Sequence, residues 1–112
     1  MEPAKGKLGV MCVGLGAVTT TFMTGVLMAR KGLAKPVGSM TQYDKIRVGR
    51  GKDKKYLHYG EIVPLTSLND IVFGAWDVYP ENAYESALNA EVLRDRDIEP
   101  VRDELKAIVP MK

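Results

Sequence analysis

Gly14 and Gly16 stand two residues apart between the apolar run Leu8-Gly9-Val10-Met11-Cys12-Val13 and a stretch whose helical spacing opens near Val18. A strand that ends in glycines and turns into a helix brings unpaired backbone N–H groups, with the positive end of the helix dipole, to a spot that no side chain blocks. Such a spot receives an anion. Gly14 permits the tight turn, and Gly16 lacks the Cβ that would hold a diphosphate off the backbone, as in the first two glycines of a G-x-G-x-x-G dinucleotide loop. Thr19 occupies the place of the third glycine, so the match is partial. In a dinucleotide fold, a carboxylate that ends a neighbouring strand accepts hydrogen bonds from the ribose hydroxyls, usually about 20 residues past the glycine loop. Asp77 ends the apolar run Ile71-Val72-Phe73-Gly74-Ala75-Trp76 but lies much further along the chain. It could instead cap a helix starting near Pro80-Glu81.

These residues need a frame. The unbroken apolar run from Leu8 to Val13 suits a parallel strand covered on both faces. The first helix is expected from about Val18 to Lys31, with Phe22, Val26, Ala29 and Leu33 on one stripe, Met23 and Leu27 beside it, and Gly32 as its stop. Residues 34–67 are read as an insertion between that helix and the second parallel strand. Within it, Ile46-Arg47-Val48 and Tyr56-Leu57-His58-Tyr59 with Ile62-Val63 flank a Gly- and Lys-rich turn, which predicts a hairpin, while Ser39, Thr41 and Gln42 form a polar cluster beside Gly38 that could reach a ligand and is equally explained by an ordinary turn. Beyond Asp77, Tyr84, Ala87, Leu88, Glu91 and Val92 recur at helical spacing and read as packing. A last helix follows Asp97, with Pro100 in its first turn and Val101, Leu105 and Ile108 on its buried face. The pattern is α/β: part of a Rossmann-type fold spanning residues 1–112.

Composition narrows the remaining classes. With 112 residues, 46% hydrophobic and 27% charged, the chain has the composition of a globular protein. A net charge of +2 is too small to point to nucleic acid, and Asp53 interrupts the basic set Arg47, Arg50, Lys52, Lys54 and Lys55. Cys12 has no disulfide partner and sits in an apolar strand, as expected of a buried small hydrophobe in a reducing cytoplasm. His58 is the only histidine, without further ligands at metal spacing, so no metal site is expected; a role as a base stays open. The rival reading is a membrane anchor, because residues 8–29 carry no charge and are flanked by Lys5, Lys7, Arg30 and Lys31. Four glycines and four threonines in that stretch weigh against a continuous apolar helix.

The segments Leu8 to Gly16, Thr24-Gly25-Val26-Leu27, Gly38-Ser-Met-Thr-Gln42 followed by Ile46-Arg47-Val48-Gly49, and Asp70 to Asp77 followed by Asn82-Ala83 and Ala87 resemble the N-terminal part of the inositol-phosphate synthases. The resemblance covers essentially the whole chain. It implies a Rossmann-type NAD domain with extra structure between its first helix and second strand, which accounts for the distance to Asp77. It further implies an NAD-dependent isomerase of inositol biosynthesis that oxidises glucose 6-phosphate transiently, closes the ring by an internal aldol step and reduces the product to inositol 1-phosphate. By motif match the resemblance implies that Gly14, Leu15, Gly16, Ala17, Val18 and Thr19 form the pyrophosphate turn of the cofactor site and that Asp77 is its ribose carboxylate. Many members carry Gly-Asn-Asn-Gly after the second loop glycine; here Ala17-Val18-Thr19 stands in a shorter loop, which leaves cofactor contact to backbone N–H groups. The family is several times longer, so the chain is expected to be a fragment, inactive alone, with the catalytic residues and most of the glucose 6-phosphate site beyond Lys112. A homotetramer is expected of the whole enzyme by the same resemblance.

Overall fold

Apolar residues at β-favouring positions form two six-residue strands, β1 (Leu8–Val13) and β4 (Ile71–Trp76). They pair in parallel from Leu8 opposite Ile71 to Val13 opposite Trp76. The computed structural model describes residue 2 and residues 5–112. Strand register sorts the side chains by face. Val10, Cys12, Phe73 and Ala75 turn toward the helices, with Ala75 fully buried and Cys12 and Phe73 packed on the core. Met11, Val13, Val72 and Trp76 lie on the opposite face and remain exposed, Val13 to 87%. Helices pack on only one face of β1 within this chain, so its second apolar face stays open, as expected of two parallel strands that so few helices cannot cover on both sides.

Helix α1 (Ala17–Arg30) crosses from the end of β1 and buries Thr20, Met23, Thr24, Val26 and Leu27. This face is rotated from the expected stripe: Phe22 and Leu33 are 44% and 56% exposed. The reason lies in the threonines. The Thr20 hydroxyl donates to the Gly16 carbonyl at 2.8 Å, so its polar atom is satisfied within the helix and the residue can be buried, while the hydroxyl of the equally buried Thr24 has no hydrogen-bond partner among the described residues. Gly32, at φ +70°, ends the helix as expected, and the Leu33 N–H returns to the Met28 carbonyl at 3.0 Å.

Residues 34–67 hold the short helix α2 (Met40–Tyr43) and an antiparallel hairpin of β2 (Lys45–Val48) with β3 (Lys55–His58). Thr41 and Gln42 lie within α2, and Ser39 is its N-cap. Ile62 and Val63 lie outside β3, beyond a tight 3-10 turn at Tyr59–Glu61. No residue from Lys31 to Asp70 is buried. Arg30 ties this region to the core: its Nε donates to the Leu68 carbonyl at 2.5 Å, Nη2 donates to the Ile71 carbonyl, and the guanidinium lies over the Phe73 ring.

Past β4, Asn82 caps α3 (Ala83–Ala90), its side chain accepting from the Glu85 N–H while Glu85 reaches back to the Asn82 N–H. Helix α3 stops before Glu91, which adopts φ +54°, so Glu91 and Val92 fall outside the helix expected to include them. Helices α4 (Asp95–Ile98) and α5 (Arg102–Lys106), joined by a 3-10 turn through Pro100, supply Ile98, Val101 and Leu105, all fully buried. Ala83 and Ala87 on α3, likewise buried, let α3 pack closely in the same core.

Candidate nucleotide-binding site

The bend between β1 and α1 is set by backbone geometry. Gly14 adopts φ +92°, a conformation in which any other residue would be strained. Its N–H donates to the Trp76 carbonyl at 2.7 Å, which extends the β1–β4 ladder one residue past the strand ends. Leu15 is buried in the core and anchors the bend, while the Thr19 hydroxyl donates to the Gly14 carbonyl at 2.9 Å. The Thr19 side chain, which stands where a third glycine would be, thus stitches the bend to the first helical turn.

Gly16 is the N-cap of α1, with no side chain closing the helix end. A Cβ added at Gly16 would meet nothing within 4 Å, so the chain itself does not require glycine there. The free space lies where the N–H groups of Ala17, Val18 and Thr19, in the first turn, lack intrahelical acceptors. Donors without partners beside open space at Gly16 suit an anionic phosphate.

Asp77 reaches the same place from β4. Its Oδ2 accepts from the Leu15 N–H at 2.7 Å, across 62 residues of sequence. Its Oδ1 accepts from the Tyr79 N–H at 3.1 Å. These two bonds, the Leu15 one foremost, hold the carboxyl below its ordinary value of 3.8, with a lesser contribution from the Val78 N–H and a small opposing effect of burial. Asp77 does not cap α3, a role that Asn82 fills. Its own amide is also held, since the Asp77 N–H donates to the Met111 carbonyl at 3.1 Å and the Met111 N–H to the Ala75 carbonyl at 2.8 Å. Of the bend amides, Gly14 is therefore spent on the Trp76 carbonyl and Leu15 on Asp77, while those of Gly16 to Thr19 have no acceptor among the described residues.

The bend and Asp77 border an open cleft of about 420 Å³, whose remaining wall is Tyr79, Glu81, Ser86, Asn89 and Ala90. Sequence spacing assigned α3 to packing. Ser86, Asn89 and Ala90, at i, i+3 and i+4, form the face of α3 that lines the cleft, while Ala83 and Ala87 serve the core. The small and polar side chains on that one face were the available signal. His58 ends β3 in the second sheet, where the Glu61 carboxylate accepts from its N–H at 2.7 Å, so it does not join the cleft.

Residues 8–29 fold as strand, bend and helix, which overturns the membrane-anchor reading. Among the described residues no helix is long and apolar enough to cross a membrane.

A family model of NAD-binding domains described as myo-inositol-1-phosphate synthase matches residues 8–112. Inositol-3-phosphate synthase 1 of Bacteroides thetaiotaomicron is 54% identical over 112 residues, covering 99% of this chain and 25% of that protein. The rice inositol-3-phosphate synthase 1 is 36% identical over 118 residues, covering 94% and 23% respectively. The crystal structure of inositol-3-phosphate synthase from Caenorhabditis elegans superposes with a TM-score of 0.81 at 26% identity, over 98% of this chain and 24% of that one. The chain thus spans about a quarter of the length of the curated relatives it matches. With the strand–bend–helix unit, the carboxylate beside it and a family match over residues 8–112, the chain belongs to the myo-inositol-1-phosphate synthase family.

Proposed function

We propose that this chain is the NAD-holding N-terminal segment of an inositol-phosphate synthase that converts D-glucose 6-phosphate to 1L-myo-inositol 1-phosphate. The observation that carries the reading is the meeting of Asp77 with the glycine bend, Oδ2 to the Leu15 N–H at 2.7 Å, beside an uncapped helix N-terminus. When bound, NAD would supply the transient oxidation and the closing reduction between which the internal aldol cyclisation occurs. The part of this chain is to hold it. The N–H groups of Gly16, Ala17, Val18 and Thr19 would receive the diphosphate, and Gly16 would leave room for it. The Asp77 carboxylate, ionised well below neutral pH, would accept from the ribose hydroxyls.

Glucose 6-phosphate would bind mainly to residues outside this chain, and no catalytic residue is assigned within it. A homotetramer in the cytoplasm is the expected setting of the whole enzyme. Calorimetric titration of the chain with NAD, and an assay of a longer protein carrying it with glucose 6-phosphate, test the reading. Saturable binding and NAD-dependent inositol phosphate formation are expected. A longer protein that turns over glucose 6-phosphate without NAD, or that fails to bind NAD, contradicts it.

A further inference from the structure

A bend built on Gly14 and Gly16 has more backbone freedom to lose than any other pair of residues would bring. Something must hold it in the shape that exposes the outward amides. Three segments meet at that point: Gly14-Leu15 of the bend, Ala75 to Tyr79 leaving β4, and Met111 near the chain end. Asp77 is the residue common to their contacts. Its carboxylate takes the Leu15 N–H on one oxygen and the Tyr79 N–H on the other, and its amide is fixed by the Met111 carbonyl.

We infer that Asp77 is a positioning residue for the glycine bend, holding Leu15 so that the amides from Gly16 onward face the diphosphate before NAD arrives. This rests on the NAD reading but adds to it. A ribose acceptor acts only when a ribose is present, whereas a clamp acts in the free protein. The two roles also part in their electrostatics. Deleting a negative charge near an anion site, with no other effect, strengthens anion binding. A clamp predicts the opposite, because loss of a charge-assisted hydrogen bond frees the bend.

The test uses NAD and an NAD analogue whose adenosine ribose lacks both hydroxyls, with Asp77→Ala, Asp77→Asn and the unaltered chain. Amide hydrogen exchange at Leu15 is read without ligand, with the amides of Met23 to Leu27 in α1 as the control for intact folding. In Asp77→Ala, Leu15 is expected to exchange faster and both NAD and the analogue to bind about tenfold or more weakly. Asparagine keeps a neutral acceptor oxygen, so Asp77→Asn is expected to give intermediate values of both quantities. Should Asp77→Ala not fold, Asp77→Asn carries the test. Leu15 exchange equal to that of the unaltered chain, or analogue affinity equal or higher in the variants, would overturn the clamp. If the unaltered chain bound neither nucleotide, the NAD reading would fall instead, and exchange at Leu15 would still decide the clamp.

Discussion

The unit formed by β1, α1, β4 and the C-terminal helices contains every buried hydrophobic side chain of the described residues, from Leu15 to Leu105, while the 34–67 segment contains none. Both regions are built from similar apolar patterns, yet only the first closes around them. Met40, Tyr43, Ile46, Val48, Tyr56 and Ile62 remain exposed on α2, on the hairpin and in the turn that follows. The Cα radius of gyration is 16.6 Å, against about 13 Å for a compact domain of this length. The site stands on the buried cluster and not on the 34–67 segment. The bend is anchored through Leu15, which belongs to the same buried cluster as Met23, Ile98 and Leu105.

The comparison can be broken most forcefully in the core. Leu105→Ala, removing a fully buried side chain, is expected to cost about 2–5 kcal/mol by denaturant unfolding. Leu57→Ala, on the half-buried side of β3, is expected to cost less than about 1 kcal/mol. Equal losses would mean that the hairpin is part of the cooperative unit. Next in size is Gly14→Ala, which forces a Cβ into φ +92° and is expected to cost about 1–3 kcal/mol. Its NAD affinity should fall with it, whereas Gly16→Ala, at φ −101°, should leave stability nearly unchanged and weaken NAD alone.

The smallest effect concerns pH. The Asp77 carboxyl is held below its ordinary 3.8 by the Leu15 and Tyr79 N–H groups. A folded-state value lowered in this way contributes stability above the unfolded value, and that contribution is lost as pH falls through the folded one. The midpoint of the Leu15 amide chemical-shift titration should therefore fall below 3.8. A midpoint at or above 3.8 would show that the carboxylate does not engage that amide.

Much of this was legible locally. The glycine bend, both parallel strands and the placement of Asp77 at a strand end follow from apolar runs broken by glycine or acid. The buried stripe of α1 was not, because Thr20 and Thr24 are polar by type, and only the Thr20 bond back to Gly16 shows how such a residue enters a core. Nor was the Leu15–Asp77 bond, which joins residues 62 apart and depends on the parallel register of β1 with β4. Nor is the cleft wall on α3 legible, because Ser86 and Asn89 share the helix with Ala83 and Ala87, whose spacing signals packing. Pattern identified the elements of residues 34–67 but not their exposure, since burial depends on what the rest of the chain supplies.

The most direct test is an NMR titration of the isotopically labelled chain with NAD. Gly16, Ala17, Val18, Thr19 and Asp77 should show the largest amide shifts, with Ser86 and Asn89 next and the β2–β3 hairpin unmoved. Shifts centred on the hairpin, or saturable binding that leaves the bend unperturbed, would contradict the assignment of the glycine bend and Asp77 as the cofactor site.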